Sequence, residues 1–163
     1  MGVKPDFRIE RATERDVPLI LRMIHALAEY EKLSHEMTAT EAGVRDTLFG
    51  ARPAADVIIG YSGTTPVGFA LFFPNYSTFL GKPGLYLEDL FVLPEWRGHG
   101  FGLGLMQHLA KIAVERGCGR FEWSVLDWNE PAIGFYKSLG ANLMDGWSIV
   151  RVTGDALRKL ASS

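Results

Sequence analysis

The stretch YLEDLFVLPEWRGHGFG, residues 86–102, joins an apolar, strand-like run carrying two adjacent carboxylates, Glu88 and Asp89, to a loop of alternating glycines. From about Phe101 the pattern turns helical, with Leu105, Met106, Leu109, Ile112 and Ala113 on one face and Gly117 as the stop. The unit is therefore a strand, a glycine loop and an amphipathic helix. Glycines let backbone approach a ligand closely, and a helix N-terminus offers unpaired N–H groups at the positive end of its dipole. That is chemistry for a phosphate or pyrophosphate. The common nucleotide motifs do not fit. A G-x-G-x-x-G register from Gly98 meets Leu103, and no G-x-x-x-x-G-K-[ST] is present. A tight turn whose glycines only relieve crowding is the alternative, and Arg97 with a helix directly behind it weighs against that.

Glu88 and Asp89 are neighbours on a strand, so they face opposite sides of a sheet unless a bulge intervenes. One of them must point inward or into a cleft, where an unpaired charge is costly. Upstream, FRIERA (7–12) reads as a strand, and Thr13 with Asp16 resembles a capping box that opens a helix running to Tyr30 and Glu31. Thr38 with Glu41 reads as a second box, for a helix ending near Gly50. DVIIGY and VGFALFF flank a GTTP turn as a β-hairpin, and LYLEDLFV is the next strand. Downstream come a strand FEWSVL (121–126), a helix from Asn129 or Glu130 to Gly140, a last strand WSIVRV (147–152) and a closing helix DALRKLA. The expected class is mixed α/β: a mostly antiparallel half, then a β-α-β crossover.

The 163-residue length suits a single domain, 1–163, and 47% hydrophobic with 22% charged residues is ordinary for a soluble globular chain. A net charge of -2 argues against nucleic acid as a partner. The lone Cys118 allows no internal disulfide and fits a reducing compartment. MGVKPDFRIE has no apolar signal core, Gly2 lacks the Ser or Thr of a lipidation motif, and no apolar run reaches membrane-spanning length. A cytoplasmic protein without membrane contact is expected. His25, His35, His99 and His108 lack metal-ligand spacing, so no metal is expected. The tryptophans are read as packing residues.

R-G-H-G-F-G resembles the [QR]-x-x-G-x-[GA] signature of the GNAT N-acetyltransferases, on the strand-loop-helix where that superfamily carries it. YLED before it, VLDWNEPAIGFYKSLGA after it, then GW and RKLA resemble the diamine (spermidine/spermine) acetyltransferases. YSTFLGK, RGC, VLDWN and RKLA are particularly similar to the thialysine N-ε-acetyltransferase branch. The similarity spans nearly the whole chain, densest over 76–139 and weaker over 35–60. It implies the GNAT fold, a mixed, mostly antiparallel sheet flanked by helices. It also implies acetyl-CoA as donor, a small-molecule amine as acceptor and a homodimer. A protein or peptide acetyltransferase and a non-catalytic acyl-CoA sensor are the rivals, with a nucleotide-binding module third.

Acyl transfer from a thioester to an amine needs a base, a donor for the carbonyl oxygen that gains charge, and an acid for the departing thiolate. The base is needed because an alkyl ammonium has a pKa of about 10.4. The resemblance assigns the base to Glu88 and the acid to Tyr136, inside Phe135-Tyr136-Lys137. Read without it, Tyr136 is a core tyrosine sharing a helix face with Ala132, Ile133 and Leu139. The resemblance gives the cofactor the backbone of Leu90, Phe91 and Val92, with the Leu90 amide polarising the thioester. It adds the loop Arg97, Gly98, His99, Gly100, Phe101, Gly102 and Leu103. At the far edge of that cleft it places Asn129, Glu130, Pro131 and Ala132, with Tyr136 touching the thiol. The acceptor amine falls to Tyr30, Glu31, Glu88 and Asp89. Two departures are visible. Ser77-Thr78 stand where the diamine branch carries an acidic residue, and the 140–147 connection is shorter.

Overall fold

A computed structural model describes residues 6–163; the N-terminal reading, including Gly2, concerns residues outside that range. Internal contacts divide the chain into Met1–Ser124 and Val125–Ser163.

The first unit holds one five-stranded sheet in the order β1-β2-β3-β4-β5: Phe7–Arg11, Asp56–Ser62, Thr65–Ser77, Lys82–Val92 and Arg120–Trp123. The first four strands pair antiparallel, and β5 joins β4 in parallel after the crossover. Helix α1 (Val17–Tyr30) starts behind a single 3-10 turn, where Asp16 accepts the Thr13 N–H at 2.8 Å as the capping pattern predicts. Its apolar stripe, Val17, Ile20 and Met23, packs with Val57, Ile59, Phe69 and Phe91 on one face of the sheet. Helix α3 (Phe101–Glu115) takes the opposite face. There Gly60 makes room for the Phe7 ring, which a Cβ at that position would meet at 2.9 Å and which stacks on Phe101 of α3.

Helix α2 (Glu41–Phe49) begins two residues later than expected. Thr40, not Thr38, is its cap, accepting the Gly43 N–H at 3.1 Å. Glu41 is therefore the first helical residue and cannot close a box from the third position. Strand β5 stops at Trp123 and does not continue to Leu126.

In the second unit, α4 (Glu130–Ser138) and α5 (Gly154–Ala161) are helical as expected, with Pro131 in the first turn of α4 and Gly140 at φ 93 beyond its end. The expected strand at 147–152 does not form. Among the described residues the segment has no ladder partner, and Trp147, Ile149 and Val150 are exposed. Apolar alternation specifies the face a strand would bury; it does not supply the neighbouring edge that makes a strand. Trp147 is largely exposed and Trp128 about half exposed, whereas Trp123 packs in a tilted arrangement against Phe121 with ring centroids 4.9 Å apart.

Candidate active site

The register of β3 against β4 contains one irregularity. Leu71 pairs with Asp89 and Phe72 with Leu87, which leaves Glu88 as the extra residue of a β-bulge. Alternation then restarts at Asp89, whose partner Leu71 and next same-face neighbour Phe91 both lie on the α1 side. Asp89 is half-buried and Glu88 exposed. Burial raises the Asp89 carboxyl to about 7, helped by the negative charges of Glu88 and then Glu31. Burial also raises Glu31, again with Glu88 adding to the effect. Three carboxylates from two elements thus share one electrostatic environment. Leu71, the apolar residue across from Asp89, went unnoticed in the sequence, because only the register reveals it.

The end of α1 that delivers Glu31 is closed by a Schellman arrangement. Lys32 N–H donates to Glu29 O at 3.1 Å and Leu33 N–H to Ala28 O at 2.8 Å. Lys32 therefore sits at φ 61, a left-handed position that glycine usually fills. Tyr30, the last helical residue, lies 6.2 Å from Phe91 between ring centroids.

Past the bulge the sheet opens. Strand β5 pairs with Gly84–Leu87 of β4 and no further, so Glu88–Val92 lack a β5 neighbour. Which groups face that open edge follows from the backbone. Leu93 N–H donates to Val67 O on the β3 side at 2.9 Å, so across the trans peptide the Val92 carbonyl points the other way. By the two-residue alternation the Leu90 N–H and C=O point to the same open edge. The Val92 carbonyl is not free: Arg97 Nε donates to it at 3.0 Å.

The loop behind this edge has Gly98 at φ 80 and Gly100 at φ 81, left-handed conformations that favour glycine. Nothing lies within 4 Å of a Cβ built at Gly98, so that side of the loop is open. Gly100 is the N-cap of α3 and no side chain caps the helix. Gly104 N–H donates to Gly100 O at 3.0 Å, so the N–H groups of Phe101, Gly102 and Leu103 precede the first intrahelical donor. An open glycine turn, uncapped helix N–H groups and an adjacent unpaired strand edge fit a pyrophosphate and its amide-bearing arm. His99 packs near Trp96 and Phe101, at 6.4 and 5.9 Å between ring centroids. Phe101 itself is buried, and it stacks on Phe7.

In the second unit Asn129 caps α4, accepting the Ala132 N–H at 3.4 Å. Glu130 and Pro131 are exposed and Ala132 is half-buried. Tyr136 is half-buried with its ring 5.5 Å from that of Phe135. Of the Ser77-Thr78 pair that stands where the diamine branch carries an acidic residue, Ser77 is buried, and its Oγ accepts the Leu80 N–H at 3.2 Å in the β3–β4 turn. Among the described residues no group of three or more His, Cys, Asp or Glu is arranged to hold a metal ion. No helix among them is long and apolar enough to cross a membrane.

The sequence model of the acetyltransferase (GNAT) family matches residues 21–141. A thialysine N-epsilon-acetyltransferase of Sus scrofa is 40% identical, with 94% of this chain and 96% of that protein covered. An L-ornithine N5-acetyltransferase of Arabidopsis thaliana is 36% identical over 94% of this chain and 87% of its own. Among solved structures, an integron cassette protein from the mobile metagenome of V. cholerae superposes with a TM-score of 0.82 at 30% identity, covering 98% of this chain and all of the other.

Proposed function

This chain belongs to the acetyltransferase (GNAT) family, and we propose that its acetyl-CoA-dependent N-acetyl transfer is directed at the side-chain amine of a small amino acid or at a short diamine. The observation that carries this is the bulge at Glu88. It groups Glu88, Asp89 and Glu31 at the point where β4 opens beside the glycine loop. Three acidic groups at one edge create a negative potential that draws in an alkyl ammonium and repels anions. The activities named for two relatives, on thialysine and on L-ornithine, support an amino acid that bears a second amine.

The roles follow from position. Glu31 and Asp89 receive the ammonium. Asp89 titrates near neutral pH, so cation binding displaces a proton from the cluster. Glu88, on the exposed side of the bulge, accepts the amine's proton, directly or through one water. The Leu90 N–H, facing the open edge, is the donor for the thioester oxygen, where developing charge is strongest. The N–H groups of Gly98 to Leu103 receive the pyrophosphate, and acetyl-CoA supplies the activated acyl group. Tyr136 is assigned the protonation of the thiolate, and Asn129, Glu130, Pro131 and Ala132 a share in cofactor binding. These second-unit assignments rest on the WNEP…FYK resemblance. Transfer is direct, with no acyl-enzyme at Cys118. The reading extends to a cytoplasmic homodimer, for which the exposed apolar residues Trp147, Ile149 and Val150 offer support.

An amine panel with thiol release as readout tests the substrate. Thialysine, ornithine and short diamines are expected to exceed spermine in kcat/KM. Glu31→Gln should raise KM for the preferred amine more than it lowers kcat, since a binding charge acts in the ground state as well. Spermine as the best acceptor, or a peptide N-terminus ahead of every small amine, would refute the assignment. Light scattering that finds only a monomer at micromolar concentration would refute the dimer.

A further inference from the structure

We infer that Arg97 is a positioning residue for the acceptor site, tying the end of α1, where Tyr30 and Glu31 sit, to the open edge of β4. The inference rests on the acetyltransferase reading and deepens it. An arginine in a glycine loop that receives a pyrophosphate is expected to point its guanidinium at the phosphates. Here the group is engaged elsewhere. Its Nε holds the Val92 carbonyl at 3.0 Å, and its central carbon lies 4.5 Å from the Tyr30 ring centroid and 5.2 Å from that of Phe91. Its backbone N–H donates to Pro94 O at 3.3 Å. The Tyr30 and Phe91 rings are themselves 6.2 Å apart between centroids and tilted by 49°, and the guanidinium lies beside both.

The arrangement spans three segments: the last turn of α1, the last residues of β4 and the start of the glycine loop. Each carries one part of the proposed chemistry. Helix ends fray, and this one closes on Lys32 at φ 61 without a glycine to relax it. An external clamp on Tyr30 therefore fixes the adjacent Glu31 carboxylate relative to Asp89 and Glu88. Misplacement of a binding group by about 1 Å is enough to cost large factors in rate. The clamp also defines the cofactor edge, because with the Val92 carbonyl occupied the groups left facing it begin at the Val92 N–H and the Leu90 N–H and C=O. A lysine keeps the charge but has neither the planar face that stacks nor an Nε–H in this geometry, so charge and position can be separated experimentally.

The test compares wild type, Arg97→Lys, Tyr30→Leu and the double variant. The readouts are KM and kcat for the best amine, coenzyme A affinity by calorimetry, and amide hydrogen exchange across residues 28–33. A positioning role predicts that Arg97→Lys raises amine KM by about fivefold. It also predicts faster exchange over 28–33, coenzyme A affinity within about twofold of wild type, and a double variant no worse than the poorer single. Tyr30→Phe, which keeps the ring, should retain wild-type exchange where Tyr30→Leu does not, even if Arg97 variants fold poorly. Coenzyme A affinity weakened about tenfold with amine KM unchanged would make Arg97 a phosphate ligand and overturn the proposal. So would unaltered exchange in Arg97→Lys, or strictly additive effects at Tyr30 and Arg97. A wild-type enzyme that acetylates no amine in the panel would refute the acceptor reading alone, while the exchange data still decide on the clamp.

Discussion

Asp89→Asn should stabilise the protein, and only at a pH where Asp89 would otherwise be asked to ionise. The folded chain raises this carboxyl from 3.8 to about 7, through burial first and then the charges of Glu88 and Glu31. Below 3.8 the group is protonated in both folded and unfolded chains and contributes no pH dependence. Between 3.8 and 7 the unfolded chain has released the proton while the folded chain retains it, so wild-type stability falls as pH rises. Above that window both forms are ionised and the loss is complete. Each pH unit between the two values corresponds to about 1.4 kcal/mol, which sets a ceiling of roughly 4 kcal/mol. Asp89 is only half-buried, and solvent screens part of its interaction with the other carboxylates, so about 2 kcal/mol is the working figure. Asparagine has the shape of the protonated acid and cannot ionise. Urea unfolding of both proteins from about pH 4 to about pH 8 should show a stability difference that grows across the range and levels off at its upper end. Thermal midpoints at about pH 8 should separate by about 4–8 °C. A difference independent of pH, or a variant destabilised at the alkaline end, would refute both the burial and the carboxylate cluster.

Other outcomes follow from the assigned roles. Glu88→Gln keeps the bulge residue's shape and removes the proton acceptor, so kcat should fall by about 10²–10⁴ while calorimetric coenzyme A affinity stays constant. Wild-type turnover in that variant removes Glu88 from the mechanism. Tyr136→Phe retains the half-buried ring and deletes the hydroxyl, so the circular dichroism spectrum should persist while single-turnover rates drop; a folded, fully active variant would assign the hydroxyl elsewhere. Gly100→Val places a β-branched residue at φ 81 in the N-cap of α3, a strain of roughly 1–2 kcal/mol, so the thermal midpoint should fall by a few degrees. Acetyl-CoA affinity should fall much further, and its survival would place the phosphates elsewhere.

Much of the fold was legible because it is written in local chemistry. The Thr13–Asp16 helix start, the glycine loop before Phe101 and the Asn129-Pro131 helix start each carry a signal within a few residues, and each element formed where the pattern put it. The misreadings share a different cause. Thr38 and Thr40 both present a hydroxyl before the same helix, and only the register of the first turn separates them. Residues 147–152 have the alternation of a strand, but pairing is a property of two segments and one segment cannot announce its partner. Arg97 matched the loop signature, yet its side-chain contacts, with Val92, Tyr30 and Phe91, come from packing that loop composition does not specify.

The adjacent carboxylates show how a small irregularity carries both halves of the site. A regular β4 would send Glu88 and Asp89 to opposite faces, and one of them could not meet Glu31 from α1. The extra residue at Glu88 resets the alternation, so Asp89 returns to the α1 face beside Phe91 while Glu88 stays at the exposed edge of the same cluster. A bulge also sharpens the bend and twist of the strand that contains it. The parallel register with β5 ends at Leu87, immediately before the bulge. Bending β4 at that residue turns its continuation away from β5 and leaves the Leu90 N–H facing open space rather than a ladder partner. Acid cluster and open edge are thus two consequences of one inserted residue. Deleting Glu88 would therefore do more than remove a carboxylate: with Asp89 still opposite Leu71 on the α1 face, it would let β4 pair straight through and close the edge against β5.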